Sequence, residues 1–386
     1  MVKNHRFSAY LTLSGGDDIS YCIFTALLQI NSISLVQFKN YLQRSVSFNS
    51  RIVGISGPNG IGKTNLLDAI YYLCFTKSYF TRSDAVNALS GTGGFRIEGV
   101  IVKQDEEYKT VCILRETGKK EFLINDDPYE KFSLHVGKFP CVFIAPDDIR
   151  MITEGSEERR RFADAILSQL DPEYLQRLMN FNKLLQQRNS YLKSCAETRT
   201  HDTKLLDVYD EQMSKDGNYI FKKRKEFLKE CIGLVKDFYS KISGSNEDVE
   251  LIYESQLLRW DYEELLKSVR EKDLFMQRTT SGIHKDDISI FLNKQPFRNI
   301  ASQGQRKSLL FALKLSEFEI LKSNKGFAPL LLLDDVFEKL DESRMHNLLD
   351  WVCVQNDGQI FITDTHRERI VNHLNKLGAS FKLIDL

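Results

Sequence analysis

The sequence predicts an α/β head built around a phosphate-binding loop, interrupted by a compact, mostly helical lobe. Three observations carry that prediction. Residues 57–64 read GPNGIGKT, residues 330–335 read LLLLDD, and between them, beyond Pro146, strand-like alternation gives way to long stretches with helical periodicity. The first fits G-x-x-x-x-G-K-[ST], in which backbone N–H groups surround phosphates, a lysine reaches the outer phosphates and a hydroxyl ligates Mg²⁺.

The flanks of the loop agree with it. Ile52, Val53 and Ile55 form a short apolar run suited to a buried parallel strand, which Gly57 ends. Leu66, Leu67, Ile70 and Leu73 recur at helical spacing, so the loop falls where a strand yields to a helix N-terminus, whose partial positive charge favours phosphate. Gly57, Pro58, Asn59, Gly60, Ile61, Gly62, Lys63 and Thr64 are therefore the candidate nucleotide-binding residues.

Bulk properties narrow the classes. A chain of 386 residues holds two or three domains, each able to bury a core. Lys and Arg number 53 and Asp and Glu 53, so no overall field draws the molecule to nucleic acid, and any DNA contact must come from a local patch. The seven cysteines are scattered without a C-x-x-C pair, which fits reduced thiols in the cytoplasm and no zinc site. No apolar run approaches the roughly 20 residues that span a bilayer, so no membrane partner is expected.

Along the chain, residues 1–32 read as an N-terminal extension, in part disordered, without the cleavage site of a signal peptide. Residues 33–150 form the first part of the head, with strand alternation around 111–123 and a turn at Asn125, Asp126, Asp127 and Pro128. Residues 151–281 form the helical arm. Segments of about 172–192 and 205–239 should pair antiparallel, with residues 195–202 as the tip. Their apolar stripes are too short for an extended coiled coil. Residues 282–386 return to strands and complete the head.

That second part supplies the rest of the site. Leu330 to Leu333 read as a central strand carrying Asp334 out beside the loop, where it would hold Mg²⁺ with Thr64. Asp335 points elsewhere because strand side chains alternate, and it is the candidate base for an attacking water. Ser302, Gln303, Gly304 and Gln305 precede an apolar helix with Ser302 as N-cap. A serine-led helix N-terminus suits a γ-phosphate, and since a P-loop already surrounds its own nucleotide, the natural client is the ATP of a second subunit. An ordinary N-cap is the plainer alternative. Asp341 sits one short turn beyond the acidic strand and is expected in a dimer loop. His366, after the last strand, either senses the γ-phosphate or is incidental.

Two basic clusters are candidates for DNA: Arg159, Arg160 and Arg161 at the arm's root, and Lys222, Lys223, Arg224 and Lys225 on the arm. Solvated helix faces are the alternative, since Glu226 and Glu230 can pair locally. Neither cluster has interleaved aromatics, so backbone contacts without sequence readout are expected.

These motifs resemble those of ABC-type P-loop ATPase heads, in which a mixed sheet is flanked by helices, and are most similar to the RecF family, related to SMC proteins. The resemblance runs from about residue 34 to the C-terminus. It is carried by FKNY (38–41), GKTNLLDAIYYL (62–73), FIAPDD (143–148), RRRF (159–162), GIHKDD (282–287) and SQGQ (302–305). It implies an ATP-dependent DNA-binding protein of replication and recombinational repair that acts at gaps and stalled forks. It also implies help in loading recombinase on single-stranded DNA, with RecO- and RecR-like partners. Lys285 stands where the family's phrase carries arginine, which weakens a bidentate contact. Most heads of this superfamily carry glutamate at the position of Asp335; the shorter side chain predicts slow hydrolysis, a weak DNA-dependent ATPase acting as a timer. The rival is another SMC-like or P-loop ATPase that does not act on DNA gaps. A small-molecule kinase needs no serine-led signature, a transporter ATPase has no such arm, and an overcoming-lysogeny nuclease needs more chain after Asp335 than remains.

Overall fold

The computed structural model describes residues 27–245, 247–337 and 340–386. Most of the expected extension, with Cys22, lies outside the described residues. Its last residues differ from expectation, because the first strand, β1, already begins at Leu28 and runs to Phe38. Leu28 and Ile30, then Ile33 and Leu35 beyond a bulge, are buried, so strand periodicity extends into the expected extension.

The strands that follow are β2 (Tyr41–Ser47), β3 (Ile52–Ser56), β4 (Phe95–Lys103), β5 (Glu106–Leu114), β6 (Lys120–Ile124), β7 (Asp127–Pro128), β8 (Cys141–Ile144), β9 (Val249–Glu254), β10 (Asp287–Leu292), β11 (Gln295–Pro296), β12 (Leu330–Leu333), β13 (Ile360–Asp364) and β14 (Lys382–Asp385). They form three sheets. One is antiparallel, in the order β2-β1-β4-β5-β6-β7; one is parallel, β14-β3-β13-β12-β8; the third is a small antiparallel sheet, β11-β10-β9. The stretch read as one strand at 111–123 is two, β5 and β6, reversed at Gly118, whose φ of 79° suits glycine. Asn125 and Asp126, at φ 50° and 67°, make the tight turn into β7.

The parallel sheet separates two hydrophobic cores, and its register shows how. Leu331 and Leu333 of β12 face one core while Leu330 and Leu332 face the other, and β13 divides Ile360 and Ile362 from Phe361 in the same way. Between the parallel and antiparallel sheets lies helix α1 (Lys63–Phe75), buried on nearly every side. Its approach to β4 is close enough that a Cβ at Gly99 would meet Leu73 Cδ1 at 2.3 Å.

The other core is shared by helices α2 (Arg150–Thr153), α3 (Ser156–Leu170), α4 (Pro172–Thr198), α5 (Thr203–Ser243), α6 (Tyr262–Ser268), α8 (Phe297–Ile300), α9 (Gln303–Lys325), α10 (Glu342–Asp350) and α11 (Arg367–Lys376), while α7 (Arg270–Met276) lies outside it. Both arm helices outrun their expected ends. The tip shrinks to residues 199–202, with Arg199 left-handed at φ 55°. At 41 residues, α5 is about 60 Å long and packs along both α4 and α9. The arm is thereby joined to the head along a helix, and β9, within the arm's sequence span, pairs with β10 of the head. The six described cysteines are free and buried. No helix among the described residues is long and apolar enough to cross a membrane.

Candidate nucleotide site

Parallel strand order places β3, β13 and β12 side by side, so their C-terminal ends open on one edge, the usual ligand edge of such a sheet. The loop 57–62 leaves β3 there. Gly57, Gly60 and Gly62 all have positive φ, at 155°, 79° and 120°. Gly62 is constrained twice, since a Cβ would also meet Tyr41 Oη at 2.6 Å and Asn40 Nδ2 at 2.7 Å. Those two side chains brace the loop: Tyr41 donates to Gly62 O at 2.9 Å and Asn40 to Ile61 O at 2.7 Å. The FKNY phrase thus works as a support projecting from the β1–β2 turn. Around Gly60 a Cβ would meet nothing within 4 Å, so the loop's crest borders open space.

Lys63 is buried and its ammonium donates to Gly57 O at 2.8 Å and Pro58 O at 3.0 Å, curled over the loop's hollow. Next to it, Thr64 Oγ1 donates to Asp334 Oδ2 at 2.8 Å, and Thr363 Oγ1 donates to Asp334 Oδ1 at 2.7 Å. Burial pushes Asp334 above the usual carboxylate range, opposed by the two hydroxyls and by Lys63. Thr363 went unrecognised in the sequence. It lies on β13, between the strand of the loop and the strand of the aspartate, and bridges both. Its signal is positional: the last-but-one residue of a central strand ending on the ligand edge.

Asp335 departs from strand geometry at once. It is left-handed at φ 47°, its N–H donates to Thr363 Oγ1 at 3.0 Å, and its side chain is half-exposed. His366 is exposed and N-caps α11, its N–H donating to Asp364 Oδ1 at 2.5 Å. Leu386 N donates to Ser56 O at 2.9 Å, so the chain's end lies against the base of the loop.

Ser302 is the N-cap of α9, completing a capping box with Gln305: Ser302 Oγ accepts from Gln305 N at 3.2 Å and Gln305 Oε1 from Ser302 N at 2.8 Å. Gln305 also donates to Glu247 at 3.1 Å. Gly304 faces Arg344, where a Cβ would lie 2.8 Å from a guanidinium nitrogen. Arg344 in turn pairs with Asp341 at 3.1 Å and donates to Ser308 Oγ at 3.3 Å, linking the serine-led helix to the N-cap of α10. Among the described residues, none of the hydrogen bonds of Ser302 or Gln305 reaches residues 57–64 of the same copy.

The basic clusters require correction. Arg224 is buried, donating to Asp164, Asp286 and the carbonyl of Ile283. Arg159 holds Asp287 through two bonds of 2.7 and 3.0 Å, and Arg160 donates to Asp286 O at 2.6 Å. Lys223 pairs with Asp171 at 2.8 Å, and Arg161 with Glu157 and, at 2.7 Å, Glu158. Arg159, Arg160 and Arg224 therefore clamp the GIHKDD segment to the arm rather than present charge to DNA. They read as a surface patch because their carboxylate partners lie far away in sequence. Lys222 and Lys225 alone of the second cluster are exposed.

A glycine loop before a helix, a lysine curled over it and a Thr–Asp pair at the edge of a parallel sheet, with an arm inserted in the chain, define an ABC-type P-loop ATPase head. The comparisons with known proteins agree. The family model described as RecF/RecN/SMC N terminal domain matches residues 29–383. The DNA replication and repair protein RecF of Flavobacterium johnsoniae is 42% identical over 359 residues, 93% of this chain and 100% of that one. That of Bacteroides thetaiotaomicron is 41% identical over 92% of this chain and 95% of its own. A solved structure of the recombination mediator protein RecF-ATP in the RecFOR pathway superposes with a TM-score of 0.81 at 30% identity, covering 90% of this chain and 94% of that one. An Smc head from Pyrococcus furiosus, at 14% identity and a TM-score of 0.52, covering 89% and 92%, shares the fold. The chain belongs to the RecF family.

Proposed function

We propose that this chain is an ATP-dependent DNA-binding protein of replication and recombinational repair, working as a dimer that nucleotide closes over DNA and slow hydrolysis releases. The observation that carries the reading is the pairing of a braced P-loop with Thr64 and Asp334 in one copy, while the hydrogen bonds of Ser302 and Gln305 are made within their own capping box and to Glu247 instead of to that copy's loop.

The residues suit the ligands. The N–H groups of residues 57–62 and the ammonium of Lys63 would receive the phosphates of ATP, with Lys63 exchanging its two carbonyl partners for phosphate oxygens. Among the described residues no group of three or more His, Cys, Asp and Glu is placed to hold a metal ion by itself. Thr64 and Asp334 would share Mg²⁺ with phosphate oxygens, as is usual for this ion, and the ion would neutralise charge developing there. Thr363 fixes Asp334 from the other side. Asp335, turned off the strand, would orient and deprotonate water. Ser302 and Gly304 of a second copy would cap the outer phosphate, with Asp341 and Arg344 alongside and His366 near the same edge. Nucleotide-dependent closure needs differential affinity for the two states, which a capped γ-phosphate supplies and ADP lacks.

Lys222 and Lys225 remain candidates for DNA backbone contacts, which predicts affinity falling steeply with salt. Gapped or stalled DNA as the site of action, assistance in recombinase loading, and RecR- and RecO-like partners belong to the same reading, supported by the relatives and by the RecFOR description of the solved structure. Sedimentation with ATP, ADP and no nucleotide tests it: dimers with ATP and mostly monomers otherwise are expected, and equal dimer populations in all three would remove the mechanism. DNA should stimulate ATP turnover without strand cleavage.

A further inference from the structure

Apart from Lys63, Thr64 and Asp334, a second set of charges is buried where α9 meets the segments of Tyr79 and Asp148. Lys314, on the inner face of α9, donates to Tyr79 Oη at 3.3 Å and lies 3.4 Å from Glu317 and 3.8 Å from Asp148. All three charged side chains are nearly or wholly shielded, at 7%, 5% and 11% exposure. Two carboxylates face one ammonium, and Glu317 Oε2 makes an ion pair without a hydrogen bond. Burial pushes Glu317 up to about 6, against the pull of Lys314. Such clusters contribute little stability over an apolar core of equal volume, which raises the question of what else this one does.

Its position suggests the answer. Asp68 on α1 pairs with Lys39 at 2.6 Å and accepts from Ser78 Oγ and Tyr79 N, both at 2.7 Å. Tyr79 Oη then donates to Asp148 at 2.5 Å, and Asp148 accepts from Ala145 N at 2.9 Å beyond the end of β8. Lys314 closes the series onto α9. At one end, the residues after Lys39 are Asn40 and Tyr41, which hold the loop carbonyls of Ile61 and Gly62. At the other end, α9 runs twelve residues back to Ser302, about 18 Å along a stiff rod. A tilt of about 10° at Lys314 would move Ser302 by about 3 Å. Catalytic contacts tolerate about 0.5 Å.

We propose that Tyr79, Asp148 and Lys314 are positioning residues that set the angle of the Ser302-led helix against the P-loop half of the same copy, and so its reach toward the site it completes in a second copy. The proposal rests on the reading that the site is completed in trans. Among the described residues, none of the hydrogen bonds or ion pairs of these three reaches residues 57–64. Their influence should therefore fall on dimer closure and turnover, and leave nucleotide affinity alone.

Tyr79→Phe removes one hydroxyl and keeps the ring stacked on Phe143. The variant should bind fluorescent ATP within about twofold of the unmodified chain. Its ATP-driven dimer constant, measured by sedimentation, should weaken about tenfold with a matching fall in kcat. Asp148→Asn keeps the shape and weakens the tie to Lys314, and should show the same split if Tyr79→Phe folds poorly. Unchanged dimerisation in both variants, or nucleotide affinity falling in step with dimerisation, would overturn the proposal. If the unmodified chain forms no ATP-driven dimer, the trans reading fails and takes this proposal with it. Normal dimers in both the unmodified chain and the variants would sink the positioning role alone.

Discussion

Gly62 meets two demands that no other residue satisfies, a φ of 120° and the contact with Tyr41 and Asn40. Gly62→Ala should therefore distort the loop at a cost of about 1–3 kcal/mol and abolish measurable nucleotide binding by calorimetry while the parallel sheet stays folded. Asp335→Asn should keep ATP-driven dimers and lower kcat by about 10²-fold, since a general base is commonly worth 10² to 10⁴; unchanged turnover would remove Asp335 from that role. His135 and His284 bring pH into the account. Burial pushes each down to about 4. An unfolded histidine takes up its proton near 6.5, so their stabilising effect is complete above that pH and is lost progressively as pH falls toward 4. By pH 5 each should have removed about 2 kcal/mol. Urea midpoints for the unmodified chain should drop between pH 7.5 and 5, and His135→Gln should flatten that drop.

Among the elements, those with short-range signals were legible and those fixed by distant partners were not. Residues 52–55, 63–75 and 330–333 take the expected strand, helix and strand because burial on both faces writes an uninterrupted apolar run and helical spacing writes itself locally. The N-cap at Ser302 is equally local. By contrast, nothing near Arg159 or Arg224 in sequence reveals that Asp287 and Asp286 await them in the fold, nor that Arg188 is wholly buried between Asp210 at 3.0 Å and Asp273 at 2.7 Å. Thr363 is marked only by its place near the end of β13, which shows once the strand order is known. Asp273→Ala, which leaves an arginine buried beside one carboxylate instead of two, should lower stability by about 3–5 kcal/mol. Reversing the exposed Lys222 and Lys225 to Glu should change stability by no more than about 0.5 kcal/mol, leaving DNA affinity as the informative readout.

For the whole molecule, the parallel sheet is the partition on which everything hangs. One face carries α1 and the antiparallel sheet, including the Asn40 and Tyr41 brace; the other carries α9, α10 and the arm. The helix that follows the P-loop and the serine-led helix thus pack on different faces of the sheet in a single copy. In the proposed dimer, two copies make each site whole. Mixing a Lys63→Ala chain with a Ser302→Arg chain and measuring ATP turnover tests this most directly. Completion in trans predicts that each variant alone is inactive and that the equimolar mixture recovers about a quarter of normal activity, because half the dimers are mixed and each holds one intact site of two. A mixture no more active than its components, alongside unmodified chains that turn over ATP as monomers, would contradict the account.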